Sequence, residues 1–235
     1  MLKRKKFLVL AAAVIFPACL FSEEWLIPRT TYYITAEQQR FPDFPAPPAA
    51  GSKKDRADLA GVLEWQHKRT PQDCARAGAG ARAGYEEFFG DISPFPRPLP
   101  AAAAAIFRRV KAETDGAAAD IKDMFKRPRP FLRDAGLEPC LGRIGGLAYP
   151  SGHAAISRLF ALMLSDLVPS RKKEFFTRAD EAARDRIIGG VHHPSDIEAG
   201  KKLAGRLYRA YKKSRAFRAD METLRGLLSV EAAVR

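Results

Sequence analysis

AYPSGHAAISRLFALMLSDLV, running from Ala148 to Val168, decides the architecture. Tyr149-Pro150 sets an extended entry, since a residue before proline is kept out of the helical region. Ser151 stands where a helix N-cap belongs, and Gly152 lets backbone come close to a ligand. From His153 onward the residues follow helical periodicity. The unpaired amides at such a helix start form an anion site, and His153, in the first turn, points toward the same anion.

Helical patterns continue on both sides. Upstream, DRADLAGVLEWQHKRT from Asp55 places Leu59, Val62, Leu63 and Gln66 on one face. Thr70-Pro71 reads as a cap and first position of a second helix. PAAAAAIFRRVKAETDGAAADIKDMF, 100–125, is strongly helix-forming, with a break expected near Gly116, and KRPRPF ends it. Residues 132–150 read as a glycine-rich loop. Downstream, RKKEFFTRADEAARDRIIGG and PSDIEAGKKLAGRLYRAYKKSRAF are helical, and 219–235 predicts a further short helix. No convincing period-two alternation occurs. The fold class expected is all-α: one compact helical domain over 55–220, a Pro-rich arm over 23–54 and a C-terminal tail over 221–235.

The first 22 residues differ from the rest. Lys3, Arg4, Lys5 and Lys6 precede the apolar run FLVLAAAVIF and then small residues, the pattern of a secretory signal. An uncleaved N-terminal anchor is the alternative, and Cys19 allows lipid attachment if cleavage follows Ala18. The domain is therefore expected to be exported, either free or tethered. An oxidising destination permits a disulfide between Cys74 and Cys140; two free buried thiols remain the alternative. The formal net charge of +13 admits anionic partners but does not choose among them. A hydrophobic content of 46% excludes a mostly disordered chain.

Three stretches carry the chemistry. In KDMFKRPRP, Lys122 at a helix end and Arg129 in the following turn converge on one anion, the guanidinium offering a planar fork and the ammonium a mobile point charge. Lys126 and Arg127 add charge between them. The second stretch is Tyr149–His153. In the third, DRIIGGVHHPSDIEAG, Arg186 precedes His192 by six residues and Asp196 follows it by four. An aspartate at that distance reaches one ring nitrogen and leaves the other facing a substrate. Two imidazoles, an orienting carboxylate, three cations and a helix N-terminus suit metal-free phosphoryl transfer.

In combination, Lys122-x6-Arg129-Pro130, Pro150-Ser151-Gly152-His153 and Arg186-x5-His192-x3-Asp196 resemble the signature of the type 2 phosphatidic acid phosphatase superfamily. With a leader and a helical domain, the chain is most similar to the bacterial class A non-specific acid phosphatases. The resemblance implies a helical fold of the acid phosphatase and vanadium haloperoxidase type. It implies that His192 attacks phosphorus, Asp196 orients it, and His153 protonates the leaving alcohol and then activates water. It implies that Lys122, Arg129, Arg186, Ser151 and the Gly152 amide bind the phosphoryl oxygens. No metal or cofactor is implied; vanadate is expected to inhibit as a mimic of pentacoordinate phosphorus.

Two positions depart from or blur the pattern. Asp185 stands where the family has serine, so either it turns away toward an arginine or it repels the phosphate and weakens activity. His193 adjoins the presumed nucleophile; the family spacing selects His192. The partner expected is a small phosphorylated substrate rather than nucleic acid, with a lipid phosphate at a membrane surface as the alternative and a homo-oligomer left open. Two other readings are a vanadate-dependent haloperoxidase and a non-catalytic basic binder of anions.

Overall fold

From Lys53 the chain is built of helices whose ends follow the capping signals in the sequence. The computed structural model describes residues 30–228; the leader, Cys19 and its lipidation lie outside the described residues. Ser52 caps α1 (Lys53–Lys68). Thr70 and Asp73 form a reciprocal capping box that opens α2 (Pro71–Ala79), with Pro71 in the first turn as expected. Then follow α3 (Tyr85–Phe89), α4 (Ala101–Phe125), α5 (Pro130–Arg133) and α6 (Gly152–Leu167). The chain ends through α7 (Lys172–Ile188), α8 (Pro194–Tyr211) and α9 (Arg215–Gly226). Among the described residues there is no strand, and the fold is all-α.

α6 is the central element. It packs along α7 and α8 and touches α4 and α9. Its Ile156, Leu159, Phe160, Met163 and Leu164 are all buried. Phe160 meets an aromatic cluster in which Tyr85 and Phe107 stack with centroids 4.0 Å apart. A second, smaller core joins Val62 of α1 to Phe131, Leu137 and Val191, so the apolar face read in α1 is the one that packs.

Three local expectations are corrected. α4 runs unbroken through Gly116, because Ala117, Ala118 and Ile121 beyond it are buried. That burial exceeds the roughly 1 kcal/mol a glycine costs inside a helix. The periodic stretch after Pro194 is two helices: the chain turns at Lys212–Ser214, where the Ser214 hydroxyl accepts from the Phe217 N–H. α9 then runs past residue 220, with Met221 and Leu224 in the core. Residues 30–52 carry no helix but pack onto the domain. Tyr33 lies against Tyr211 and Phe217, and the buried Glu113 carboxylate accepts the N–H groups of Tyr33 and Ile34.

Cys74 of α2 and Cys140 of the loop before α6 form a disulfide across 66 residues, which decides the alternative left open in the sequence. Constraining a loop of that size in the unfolded chain is worth about 4 kcal/mol in the loop-entropy account. The Cys74→Ala, Cys140→Ala double variant is therefore expected to unfold at markedly lower urea concentration than the oxidised protein. Coincident unfolding curves would contradict this.

Candidate active site

Two glycines let the third stretch fold back onto the second. Gly190 adopts φ +78°, and a Cβ there would lie 2.9 Å from the Pro139 Cα. The turn it permits brings the N–H groups of Val191 and His192 back to the Arg186 carbonyl, at 3.1 and 3.2 Å. Gly200 sits where α8 crosses α6: a Cβ there would collide with the Ser151 carbonyl and come within 2.9 Å of Ala154 Cβ. The Ser151 N–H donates to the Asp196 carbonyl at 2.9 Å, tying the two helix starts together. Ser151 caps α6 through its hydroxyl, which accepts from the Ala154 N–H. A Cβ on Gly152 would meet no protein atom nearer than 3.8 Å, so packing does not demand glycine there.

The cations gather at this junction. Lys122, in the last turn of α4, donates to the Leu147 carbonyl. Arg129 is buried and donates from Nη1 to His192 Nε2 at 2.8 Å and to the Val191 carbonyl at 3.0 Å. Arg186 is 3% exposed, and its Nε and Nη1 have no partner. A buried guanidinium with free donors calls for an anion, because desolvation without a partner is costly. Burial and the neighbouring Arg129 charge bring Lys122 down to about 8 and Arg186 to about 10. Each cation thus disfavours the next, a strain that a bound anion would relieve.

The arginines also fix both histidine tautomers. A guanidinium only donates, so His192 Nε2 accepts from Arg129 and its proton sits on Nδ1. His193 Nε2 likewise accepts from Arg133 at 3.0 Å and carries its proton on Nδ1. Both Nδ1–H groups face the same atom, Asp196 Oδ2: His193 at 2.9 Å and His192 at 3.5 Å. The His192 contact is too long for a hydrogen bond and is electrostatic, leaving Nδ1 buried without a hydrogen-bond partner. Burial raises the Asp196 carboxyl, but the two histidines outweigh it and hold the group well below the usual range. Burial pushes the His192 imidazole well below its ordinary value, with Arg129 adding to the shift, so the ring is neutral with its Nε2 lone pair toward the cations.

His153 is half-buried against Phe88, and its Nε2–H donates to the Ala81 carbonyl at 3.0 Å. Burial, then the nearby Arg186, lowers it to about 3. Asp185 is held by a cation outside this cluster. Its carboxylate accepts from Arg76 Nε and Nη2 of α2, at 3.1 and 3.0 Å. Asp185→Ser is therefore expected to change kcat and KM by less than about threefold. Arg76→Ala leaves a buried carboxylate unpaired next to Arg186 and is expected to raise KM by about tenfold. Steady-state kinetics on the two variants measures both, and a larger loss in Asp185→Ser than in Arg76→Ala would reverse the assignment.

Sequence reasoning missed a second layer. In the sequence Arg127 is only added charge, yet it is 5% exposed and bonds Asp196, Ser195, Asp55 and Asp58. Asp55 and Asp58, three apart on α1 beside its apolar stripe, were the available signal: acids at the edge of a packing face call for buried partners.

Residues 102–218 match the PAP2 superfamily. This helical domain belongs to the PAP2 superfamily. Its sequence is similar to an acid phosphatase of Zymomonas mobilis, 34% identical over 54% of this chain and 49% of that one. It is also similar to a non-specific acid phosphatase of Providencia stuartii, 29% identical over 68% of each chain. The chain thus spans about half the length of the Zymomonas relative. Its fold is similar to that of a bacterial vanadium-dependent iodoperoxidase, with a TM-score of 0.55 and 18% identity over 72% of this chain and 52% of that one. Among the described residues, no helix of this PAP2 domain is long and apolar enough to cross a membrane.

Proposed function

We propose that this PAP2 domain hydrolyses phosphate monoesters in two steps, through a phosphohistidine on His192 and without a metal. The observation that carries the reading is the His192 Nε2 lone pair, aimed at Arg129 beside the unpartnered Arg186. A phosphoryl group takes the place of that lone-pair contact. Arg129, Arg186 and Lys122 then hold its oxygens with the Gly152 amide, while Ser151 shapes the helix start. Nε2 bonds to phosphorus and the P–O bond to the alcohol breaks; the departing oxygen takes the Nε2 proton of His153, which the bound phosphate dianion holds in its doubly protonated form, so that the ring is left neutral. Neutral His153 next removes a proton from water, which attacks phosphorus and frees His192.

The relatives named acid phosphatases support the phosphatase activity. A cavity of about 380 Å³ shares Arg186 and Phe88 with the site, and Arg76, Glu86, Glu87 and Asp185 also line it. Such charged walls suit a water-soluble alcohol better than an acyl chain, which favours soluble monoesters over lipid phosphates. The basic-then-apolar leader and the Cys74–Cys140 disulfide support export to an oxidising compartment.

The test is an activity panel of nucleotides, sugar phosphates and detergent-dispersed lipid phosphates, run across pH with and without chelator. Turnover of the soluble esters, unaffected by chelator and inhibited by vanadate, is the expected result. Loss of activity on chelation, or hydrolysis confined to lipid phosphates, would overturn it.

A further inference from the structure

We propose that Arg127 is a positioning residue for the nucleophile, gripping one oxygen of Asp196 so that the other is held toward the His192 ring. This rests on reading His192 as the residue that attacks phosphorus. The two carboxylate oxygens of Asp196 have separate partners. Oδ1 accepts from Arg127 Nη1 at 2.6 Å. Oδ2 accepts the His193 N–H at 2.7 Å and faces both imidazoles. Arg127 is itself anchored at three further points. Its Nη1 donates to Ser195 Oγ at 2.7 Å, and its Nη2 to Asp58 Oδ2 at 2.8 Å and Asp55 Oδ1 at 3.2 Å. One guanidinium thereby bridges α1 to the first turn of α8. Asp58 also accepts the Ser195 N–H at 3.0 Å, and Arg133 holds the second Asp55 oxygen at 2.7 Å. The carboxylate cannot rotate without breaking charge-assisted bonds in a buried setting.

The charges of this layer serve the same end. Asp55, Asp58 and Asp196 bring three negative charges; Arg127 and Arg133 bring two positive ones. With both imidazoles neutral, one negative charge is in excess beside His192. When Nε2 bonds to phosphorus and the P–O electron pair leaves with the alcohol, the ring keeps its Nδ1 proton and becomes cationic. The excess charge then has its partner. Arg127 holds that charge at Asp196 rather than letting it move toward the cations of the phosphate pocket.

Arg127→Lys keeps the charge and loses the fork; Arg127→Met loses both. Rapid-quench phosphorylation, KM and the ring ¹⁵N resonances of His192 are measured for each. Phosphorylation is expected to slow about 10-fold to 100-fold in Arg127→Met, by analogy with the loss when the outer partner of a metal-bound histidine is removed. KM should stay within about threefold, the His192 Nδ1 resonance should shift as the carboxylate beside it moves while Arg129 keeps the proton on Nδ1, and Arg127→Lys should recover part of the rate. Should the Arg127 variants not fold, Asp58→Asn, which removes one anchor of Arg127, is expected to give the same split in milder form. Wild-type phosphorylation rates and an unchanged His192 Nδ1 resonance in a folded variant would overturn the proposal. A rate and KM that change together, with the His192 Nδ1 resonance unmoved, would also overturn it by making Arg127 merely structural. A wild-type phosphoryl label on a residue other than His192 is the separate outcome that removes the underlying reading.

Discussion

His192→Ala is expected to reduce kcat by about 10⁴-fold to 10⁶-fold, the scale of losing a nucleophile that acts with its base and oxyanion donors as one unit. The neutral ring presents Nε2 to Arg129, whose other acceptors are the backbone carbonyls of Gly145, Gly146 and Val191, none of them a nucleophile. His193 does not replace it: its ring is fully buried, its Nε2 is occupied by Arg133, and its backbone caps α8. Acid-quenched labelling of the wild type should therefore map to His192 and persist in His193→Gln. A label on serine, or retained turnover in His192→Ala, would end the phosphohistidine mechanism.

The second large effect is expected at His153, and it depends on the leaving group. Against alkyl phosphates, His153→Ala should lose about 10²-fold to 10⁴-fold in kcat, the usual contribution of a positioned general acid. With a nitrophenyl ester the alcohol leaves without a proton, so phosphorylation survives while hydrolysis lacks its base, and phosphoenzyme accumulates. The pH dependence has a definite sign. In the free protein, burial and the Arg186 charge hold His153 near 3, so it is neutral through the mildly acidic range. A bound phosphate dianion adds negative charge among the same cations and raises that value, making the protonated acid available in the complex. Titration of the His153 ring by NMR should move upward on adding vanadate or phosphate. A downward or absent shift would rule out its contact with the phosphoryl group.

Local chemistry was legible where it acts over a few residues. The Thr70–Pro71 and Ser151 caps, the stop at KRPRP and the helix start at Pro194 are satisfied within one turn, and the structure has each of them. The break at Gly116 was misread for the same reason in reverse: a local penalty was weighed without the burial of Ala117, Ala118 and Ile121 that outweighs it. Arg127 was misread because charge in a sequence carries no sign of whether it faces water or three carboxylates.

The sequence by itself determined the residue types, the helices that carry them and the spacing that groups Lys122 with Arg129, Ser151 with His153, and Arg186 with His192 and Asp196. The family spacing selected His192 over His193, but spacing could not say where Asp185 points or find the layer behind Asp196. Those choices rest on Arg129 meeting His192, Arg133 meeting His193, Arg76 meeting Asp185 and Arg127 bridging α1 to α8. Each joins groups 60 or more residues apart. Hydrogen bonds inside a helix turn follow from neighbours in the chain, whereas a guanidinium finds its carboxylate or imidazole only after α6 has drawn α4, α7 and α8 around it.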